Sequence, residues 1–204
     1  MNDVKVMQET GVTLEQAGLR WLPPLLDAAA CSSLLQQLLQ DIQWHADHYT
    51  AFGRRFDIPR LQAWFAEPGI QYRYSNNFLP RQEWAPVLWD LKQDIEALCE
   101  RRFNSVLATY YRDGMDSVDW HADDESELGG EPWIASFSLG AERDFRFRHK
   151  LYGTEGQLRL RSGDLLLMAP NFQRDWEHCV PSHPLVHEPR INLTFRQVVT
   201  SNAL

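Results

Sequence analysis

The stretch at residues 190–196 reads RINLTFR, in which apolar and polar side chains alternate. Successive side chains of a β-strand point to opposite faces, so this pattern predicts a strand with two different faces. The apolar face carries Ile191, Leu193 and Phe195. The polar face carries Arg190, Asn192, Thr194 and Arg196. Opposed faces are typical of a barrel strand that lines a small ligand cavity, and a solvated polar face is the alternative that the pattern leaves open.

Other segments of strand character lie between residue 103 and this stretch. They read SVLATYY, SVDWHAD, WIASFSL, DFRFRHK, QLRLRS and DLLLMAP. Turn signals separate them, among them Gly129-Gly130 and Ser162-Gly163-Asp164. Many short strands at this spacing predict a β-sandwich or a jelly roll. The expected fold class is therefore mainly β with flanking helices.

Two helices are predicted before residue 104. The first covers DAAACSSLLQQLLQDIQW (27–44), where Asp27 can cap the helix start. The second covers EWAPVLWDLKQDIEALCERRF (83–103), with Pro86 in the first turn, where proline is tolerated. We therefore expect residues 1–101 to buttress a β-core of residues 102–199 within one structural unit.

The composition is that of an ordinary globular protein, with 44% hydrophobic and 24% charged residues among 204. No apolar run approaches the ~20 residues that a bilayer requires, and the N-terminus lacks the pattern of a signal peptide. Three widely spaced cysteines argue against a disulfide framework and against a cysteine zinc site: Cys31, Cys99 and Cys179. We expect a monomeric, cytoplasmic protein with no membrane partner.

The net charge of −8 mildly disfavours a nucleic-acid partner. However, residues 143–161 concentrate basic side chains: Arg143, Arg146, Arg148, Lys150, Arg159 and Arg161. A local basic face can still bind phosphates, because screening limits the effect of distant acidic groups. The alternative interpretation is that these basic side chains lie on strand faces exposed to solvent and bind no partner.

A candidate metal site begins with His121 and Asp123, which are two residues apart in SVDWHAD and would share a face of a strand. His178 is the best third ligand, because it follows the strong strand DLLLM. Two histidines and a carboxylate with open positions are the ligand set of non-haem Fe(II) oxygenases. Zinc hydrolases can use the same ligands, so ligand type alone does not decide between the two metals. A set of His178 with His183 and His187 is disfavoured by intervening prolines.

Arg190 and Arg196 lie on the polar face of the last strand, shortly after His178. A guanidinium fork binds a carboxylate through two hydrogen bonds, which suits a dicarboxylate cosubstrate beside the metal. The pair of arginines has no evident role in a zinc hydrolase, so it favours the oxygenase.

From about residue 52 to residue 199 the chain resembles the AlkB family of dioxygenases, which depend on Fe(II) and 2-oxoglutarate. The resemblance lies in motifs that keep their order along the chain: Pro59-Arg60-Leu61-Gln62-Ala63, Phe103-Asn104-Ser105, Tyr111-Arg112-Asp113-Gly114, His121-Ala122-Asp123-Asp124-Glu125, Ile134-Ala135-Ser136, Phe147-Arg148, His178 and Pro189-Arg190-Ile191-Asn192-Leu193-Thr194-Phe195-Arg196. The combined pattern is far more specific than any single motif. The chain is close to the branch of the animal nuclear homologues.

The resemblance implies a double-stranded β-helix, which is a jelly roll, with helices outside it. It implies that Fe(II) is held by His121, Asp123 and His178. It implies further that Arg190 binds the distal carboxylate of 2-oxoglutarate, and that Arg196 pairs with Asp123 near the metal. Within this scheme, residues 1–101 would include a nucleotide-recognition lid and residues 102–199 the dioxygenase domain.

Three more residues are implied as cosubstrate contacts: Thr109, Tyr111 and Asn192. Tyr111 would hydrogen-bond 2-oxoglutarate, and Asn192 would assist Arg190. Many family members have asparagine where this chain has Thr109. That departure removes an amide contact, although a hydroxyl can substitute for it.

The implied activity is oxidative demethylation of 1-methyladenine and 3-methylcytosine in DNA, with release of formaldehyde, succinate and CO2. The implied partners are O2 and methylated DNA, with RNA as a further candidate. The alternatives on the same scaffold are an RNA (tRNA) demethylase, a protein demethylase and a catalytically silent nucleic-acid-binding module.

The resemblance also implies substrate contacts, since a methylated base must leave the stack to reach the iron. Tyr74, within Gln71-Tyr72-Arg73-Tyr74-Ser75, would stack on the base, and Glu125 would meet its amino group. Phe52 lies at the position of a hydrophobic finger in the duplex-repairing branch, just before the Pro59-Arg60 motif. The substrate contacts expected are therefore Phe52, Arg60, Tyr72, Tyr74 and Glu125.

The strand preference stays open, because Asp116–Trp120 and Asp175–His178 look more like the branch that prefers single strands and RNA. The expected phosphate contacts are Arg143, Arg146, Arg148, His149 and Lys150. His45 and His48 are expected to be surface residues after the first helix, without a metal role.

Overall fold

The computed structural model describes residues 12–51, 53–70 and 80–199. The N-terminal elements, in chain order, are α1 (Leu14–Ala17), β1 (Leu19–Leu22), α2 (Ala28–Asp41), β2 (His45–Ala51), β3 (Arg54–Ala66), β4 (Arg81–Gln82) and α3 (Pro86–Cys99). The two predicted helices are thus confirmed as α2 and α3. The side chain of Asp27 accepts a hydrogen bond from the Ala30 N–H at the start of α2, as a helix cap does.

The C-terminal elements follow the predicted succession of strands closely. They are β5 (Ser105–Tyr111), β6 (Val118–His121), a 3₁₀ turn (Ser126–Leu128), β7 (Ile134–Gly140), β8 (Arg143–His149), β9 (Glu155–Leu160), β10 (Leu165–Met168), α4 (Pro170–Asp175), β11 (Trp176–Val180) and β12 (Arg190–Arg196). The short helix α4 and the strand β11 were not predicted as separate elements.

Two sheets organise these strands. The larger one has the order β1-β10-β7-β12-β5-β3-β2, with β4 added beside β3, and the smaller one has the order β6-β11-β8-β9. Among the described strands, all neighbours in these orders pair antiparallel, and only β4 is parallel to its neighbour. This arrangement agrees with the predicted mainly β, jelly-roll fold with flanking helices.

Strand β12 lies in the middle of the larger sheet, between β5 and β7. Its apolar face, with Ile191, Leu193 and Phe195, is fully buried in a cluster that includes leucines of α2 and α3. Burying each such side chain contributes roughly 1.5–3 kcal/mol, which ties the helices to this face. The polar face of β12 therefore turns the other way, and its residues line a cavity with residues of the smaller sheet.

The N-terminal residues contribute strands as well as helices. β1, β2 and β3 belong to the same sheet as β5, β7, β10 and β12, so this sheet combines strands from both sides of residue 101. His45 and His48 follow α2 as expected, but they lie on strand β2 and are half-buried. None of the helices in the described ranges combines the length and the apolar character needed to cross a bilayer.

A buried ion pair within α3 also holds the turn that leads toward β5. Lys92 Nζ lies 2.9 Å from Glu96 Oε1, and both side chains are almost fully buried. Glu96 also accepts hydrogen bonds from the Phe103 N–H at 2.7 Å and from Arg102 Nη1 at 3.0 Å. The carboxylate thereby fixes the turn that leads from the helix into the strand.

Candidate metal and cosubstrate site

Strands β6 and β11 place two histidines opposite one another. His121 and His178 are direct partners in the antiparallel pairing, so their side chains leave the same face of the sheet. The centroids of the two rings are 4.3 Å apart. The ring of His178 is buried against those of Phe145 and Phe172, at centroid distances of 5.1 and 5.6 Å. The smaller sheet thus presents two imidazoles to the space between the sheets.

Asp123 joins these histidines from outside the strand. We expected His121 and Asp123 to share one strand face, but β6 ends at His121 and Asp123 lies in irregular backbone beyond it. The predicted strand was too long. The Asp123 N–H bonds to a side chain instead of to a neighbouring strand, because it donates to Gln173 Oε1 at 2.9 Å. Asp123 Oδ2 nevertheless lies 3.9 Å from His178 Nε2.

The protonation states suit metal binding. His121 Nδ1 is 2.8 Å from the Asp119 carbonyl oxygen, which can only accept, so Nδ1 is the donor and Nε2 is the ring nitrogen left to face a metal. Burial and the neighbouring His121 lower the pKa of His178 to about 3, so this imidazole is neutral. Burial raises the pKa of Asp123, but Arg196 and the two imidazoles outweigh it and hold the pKa below its usual value.

These three residues form a donor set for one metal ion. One ligand atom from each of His121, Asp123 and His178 lies within 4.8 Å of the others, and no other group of this kind occurs among the described residues. The alternative set with His183 and His187 is therefore not found in the part of the chain that the structure describes. Two neutral imidazoles and one carboxylate are the ligands that non-haem Fe(II) takes in oxygenases, so the residues fit that metal.

Arg190 supplies the second half of the site. Its side chain is buried, and its Nη2 donates to Ser138 Oγ and to Asn192 Oδ1, each at 3.0 Å. Its Nε and Nη1 are buried and have no hydrogen-bond partner among the described residues. Burial lowers the pKa of Arg190, and no acidic side chain in the described ranges forms an ion pair with it. A buried guanidinium with two unpaired N–H donor groups is suited to bind the carboxylate of a ligand.

A single cavity connects this guanidinium to the metal ligands. The residues that line it include all eight predicted metal and cosubstrate residues: Thr109, Tyr111, His121, Asp123, His178, Arg190, Asn192 and Arg196. Arg196 Nη2 donates to Asp123 Oδ1, the pairing that the family resemblance implied. The ring of Tyr111 lies 5.1 Å from the Arg190 guanidinium carbon. The cavity wall is completed by apolar side chains such as Leu107 and Phe145.

Gln62 was not predicted as a site residue, and it stands directly beside Thr109 on β3. Thr109 is in turn the register partner of Asn192, so the three residues form one cross-strand row on the cavity side of the sheet. Gln62 is only 1% exposed, and neither of its amide atoms has a hydrogen-bond partner among the described residues. The unsatisfied amide is visible only once the pairing of β3 with β5 is known.

The predicted phosphate contact at Arg143 is wrong. Its side chain is 2% exposed and donates to three backbone carbonyl groups, those of Asp113, Asp116 and Pro181, at 2.7–3.1 Å. Arg143 therefore stabilises the loop that precedes β6 and cannot reach solvent. Period two places Arg143 on the same face of β8 as the buried Phe145 and Phe147, whereas Arg146 lies on the opposite, exposed face. Grouping the arginines by charge alone overlooked this difference.

The other predicted phosphate contacts are at least partly accessible. Arg148 pairs with Glu177 and lies over the ring of Trp120 at 4.2 Å. Lys150 Nζ donates to the carbonyl group of Gln173 at 2.8 Å and to Asp124 at 3.3 Å. Arg148 and Lys150 already have protein partners. Phosphate binding by these two residues, and by Arg146 and His149, stays a prediction.

The predicted substrate contacts are only partly within the described residues. Phe52, Tyr72 and Tyr74 lie outside them. Arg60 is buried, lines the cavity and donates from Nη1 to the Ser117 carbonyl group at 3.0 Å. Glu125 is half-buried at the start of the 3₁₀ turn and is not among the residues that line the cavity.

Residues 18–196 match the family model described as the 2OG-Fe(II) oxygenase superfamily. The sequence is 41% identical over 190 residues to alpha-ketoglutarate-dependent dioxygenase alkB homolog 3 of Mus musculus, covering 86% of this chain and 64% of that protein. It is 34% identical over 188 residues to the DNA oxidative demethylase ALKBH2 of Mus musculus, covering 86% of this chain and 78% of that protein.

Solved structures share the fold. The structure of OsALKBH1 aligns with a TM-score of 0.61 and 19% sequence identity, covering 88% of this chain and 98% of that one. The chain spans 64% of the length of the mouse alkB homolog 3 protein. Together with the His121–Asp123–His178 group, the matched family model and these identities show that the chain belongs to the AlkB family within the 2OG-Fe(II) oxygenase superfamily.

Proposed function

We propose that this protein oxidises the methyl group of N-alkylated bases in DNA, 1-methyladenine and 3-methylcytosine, and thereby repairs alkylation damage. One observation carries the proposal: a compact His–Asp–His group shares a cavity with a buried guanidinium that has idle donors. A metal that works without a cosubstrate would need only the His–Asp–His group. The combination fits a metal that works with a dicarboxylate cosubstrate.

Fe(II), held by His121, Asp123 and His178, would supply the reduction of O2 that is coupled to oxidation of 2-oxoglutarate and of the methyl group. One oxygen atom of O2 enters succinate as CO2 leaves, and the other enters the methyl group. The resulting hydroxymethyl group leaves the base nitrogen as formaldehyde. The base recovers its unmodified form, and the positive charge of the alkylated base leaves as a proton.

The protein's own task is to bind and orient the cosubstrate. Arg190 would hold the distal carboxylate with Nε and Nη1, while Ser138 and Asn192 keep Nη2 in place. Arg196 compensates the negative charge of Asp123 through its hydrogen bond. The apolar wall, with Leu107 and Phe145, would exclude water from the reacting groups.

A base must be rotated out of its stack to reach such an enclosed site. We propose that Tyr72 and Tyr74 stack on it, that Phe52 fills the gap it leaves, and that these residues form part of a recognition lid within residues 1–101. Arg60 and Glu125 would contact the same nucleotide. The support for Arg60 is its place in the cavity wall.

DNA is favoured over other substrates by the relatives. The ALKBH2 proteins that this chain resembles are named DNA oxidative demethylases. The at least partly accessible side chains of Arg146, Arg148 and Lys150 lie on β8 and directly after it, at positions two residues apart. Phosphate contacts there would position the strand without reading its sequence.

The test is a comparison of substrates. Oligonucleotides with one 3-methylcytosine or 1-methyladenine are incubated as single-stranded DNA, duplex DNA and RNA with Fe(II), 2-oxoglutarate and O2, and formaldehyde and succinate are measured. We expect both products in equal amounts with DNA. His121→Ala removes a ligand and should abolish turnover, whereas His187→Ala, on an exposed loop, serves as the matched control and should not.

Faster release of formaldehyde from methylated RNA than from either DNA form would reassign the substrate and leave the chemistry intact. Succinate without formaldehyde on all three nucleic acids would contradict demethylation of bases. Full activity of His121→Ala would contradict the metal site.

A further inference from the structure

The backbone at Asp123 lacks the support that a strand would give. Strand β6 ends two residues earlier, and Asp123 is 1% exposed, so its N–H cannot bond to water. A buried backbone donor without a partner costs roughly 1–3 kcal/mol. Gln173 supplies the partner, because its Oε1 accepts from the Asp123 N–H at 2.9 Å.

Gln173 is itself firmly held. It lies in α4 and is 1% exposed, and its amide nitrogen donates to the Met168 sulfur at 3.6 Å. Phe172, the preceding residue, stacks on the ring of Trp176 with a centroid distance of 6.4 Å. The amide therefore has a fixed orientation, with its oxygen toward Asp123.

A second contact joins the same helix to the same loop. The carbonyl group of Gln173 accepts from Lys150 Nζ at 2.8 Å, and this ammonium group lies 3.3 Å from Asp124 Oδ2. Residues 123 and 124 are thus both connected to α4, once through the backbone and once through a side chain.

We propose that Gln173 is a positioning residue for the metal-binding carboxylate: it fixes the main chain of Asp123 so that Oδ2 faces the metal. The inference rests on the proposed metal site. Arg196 fixes Oδ1 from one side, and Gln173 fixes the backbone from the other. These two hydrogen bonds hold the carboxylate in one orientation, in which Oδ2 lies 3.9 Å from His178 Nε2. Such outer contacts orient a ligand before the metal binds.

The test measures metal binding without turnover. Metal-free protein is titrated with Co(II), and the dissociation constant and the visible absorption of bound Co(II) are recorded for Gln173→Met, which preserves chain length but removes the oxygen acceptor. We expect affinity to fall about 10- to 100-fold, together with a changed Co(II) spectrum. Gln40→Met, on the exposed side of α2, is the matched control and should bind as the unsubstituted protein does.

Two further variants separate positioning from folding. Gln173→Asn keeps the amide but is one methylene shorter, so it should lose affinity in the same way. Gln173→Glu keeps an oxygen at the same reach and should retain more affinity than either. Thermal unfolding of each metal-free variant shows which of them are folded, and the spectra are compared for those.

Wild-type affinity and an unchanged Co(II) spectrum in folded Gln173→Met or Gln173→Asn would overturn the inference. Failure of the unsubstituted protein to bind Co(II) would instead overturn the metal site on which the inference rests.

Discussion

Arg196 donates a hydrogen bond from Nη2 to Oδ1 of Asp123, which lies 73 residues earlier in the chain. Both side chains are almost fully buried. The positive charge of the guanidinium compensates the negative charge of the Asp123 carboxylate. The other carboxylate oxygen, Oδ2, faces His178. The contact therefore connects the central strand of the larger sheet to the ligand loop of the smaller one.

Replacement of Arg196 by methionine should destabilise the metal-free protein. The substitution leaves Asp123 buried without its compensating charge, and breaking one partner of a buried ion pair costs about 3–5 kcal/mol. Urea unfolding of the metal-free protein measures this loss. Arg55→Met is the control, because Arg55 pairs with Asp57 at 3.4 Å while both side chains are exposed, and such pairs contribute less than about 1 kcal/mol. Equal losses in the two variants would contradict the role given to Arg196.

Replacement of Arg190 by lysine should weaken 2-oxoglutarate binding. Lysine keeps a positive charge but cannot offer the fork, so we expect the dissociation constant to rise about tenfold or more. Titration of the Co(II)-loaded protein with 2-oxoglutarate measures it. With 2-oxopentanoate, which has no distal carboxylate, the two proteins should bind equally, and a persistent difference would show that Arg190 acts elsewhere.

The ion pair of Lys92 and Glu96 should make stability depend on pH. Burial raises the pKa of Glu96, but hydrogen bonds from the Phe103 N–H, Lys92 and Arg102 outweigh it, so the pKa is below its ordinary value. A depressed carboxyl pKa stabilises the fold fully above the unfolded-state pKa of about 4.3, and this contribution is lost as pH falls through the folded-state pKa.

Glu96→Gln should therefore be destabilised relative to the unsubstituted protein at pH 7, by about 3 kcal/mol. The difference should shrink at acidic pH, below about 4. Urea unfolding across this range provides the measurement, with the exposed Glu155→Gln as a control. A difference that stays constant with pH would contradict the assignment of the shifted group.

Two buried glutamines should respond in opposite ways to apolar substitution. Gln62 has no hydrogen-bond partner among the described residues, so Gln62→Leu should be neutral or stabilise the metal-free protein by about 1 kcal/mol. Gln173→Leu leaves the Asp123 N–H unsatisfied and should destabilise it by about 1–3 kcal/mol. Thermal unfolding of both variants decides, and a marked loss for Gln62→Leu would mean that its amide is bonded.

The alternating and helical patterns predicted much of the fold. Strand β5 and strand β12 were predicted with their observed bounds or nearly so, because each alternates or is apolar over its whole length. The hairpin of β2 and β3 was missed. The first four residues of β3 are exposed, and Pro59 lies within this strand. A proline inside a segment argues against predicting a strand from the sequence. The pairing shifts register between Ala46 and His48, which accommodates the proline.

The site was predicted where one strand carries several of its residues. Arg190, Asn192 and Arg196 follow from period two. The metal ligands His121, Asp123 and His178 were candidates from their spacing and strand positions, and the family resemblance supported the same three. The support of Asp123 was beyond prediction, because Gln173 lies 50 residues away on a six-residue helix without periodicity. The carbonyl groups that accept hydrogen bonds from the buried Arg143 lie in distant loops and were likewise beyond prediction.

The most direct measurement of the central claim is the visible absorption of the anaerobic protein with Fe(II) and 2-oxoglutarate. The account predicts a charge-transfer band that appears only when both are present and saturates at equimolar ratio to the chain. It predicts that Asp123→Ala and His178→Ala each abolish the band, and that Arg190→Lys shifts its saturation to higher 2-oxoglutarate concentration. No band with the unsubstituted protein, or an undiminished band in Asp123→Ala, would contradict a metal held by these residues beside Arg190.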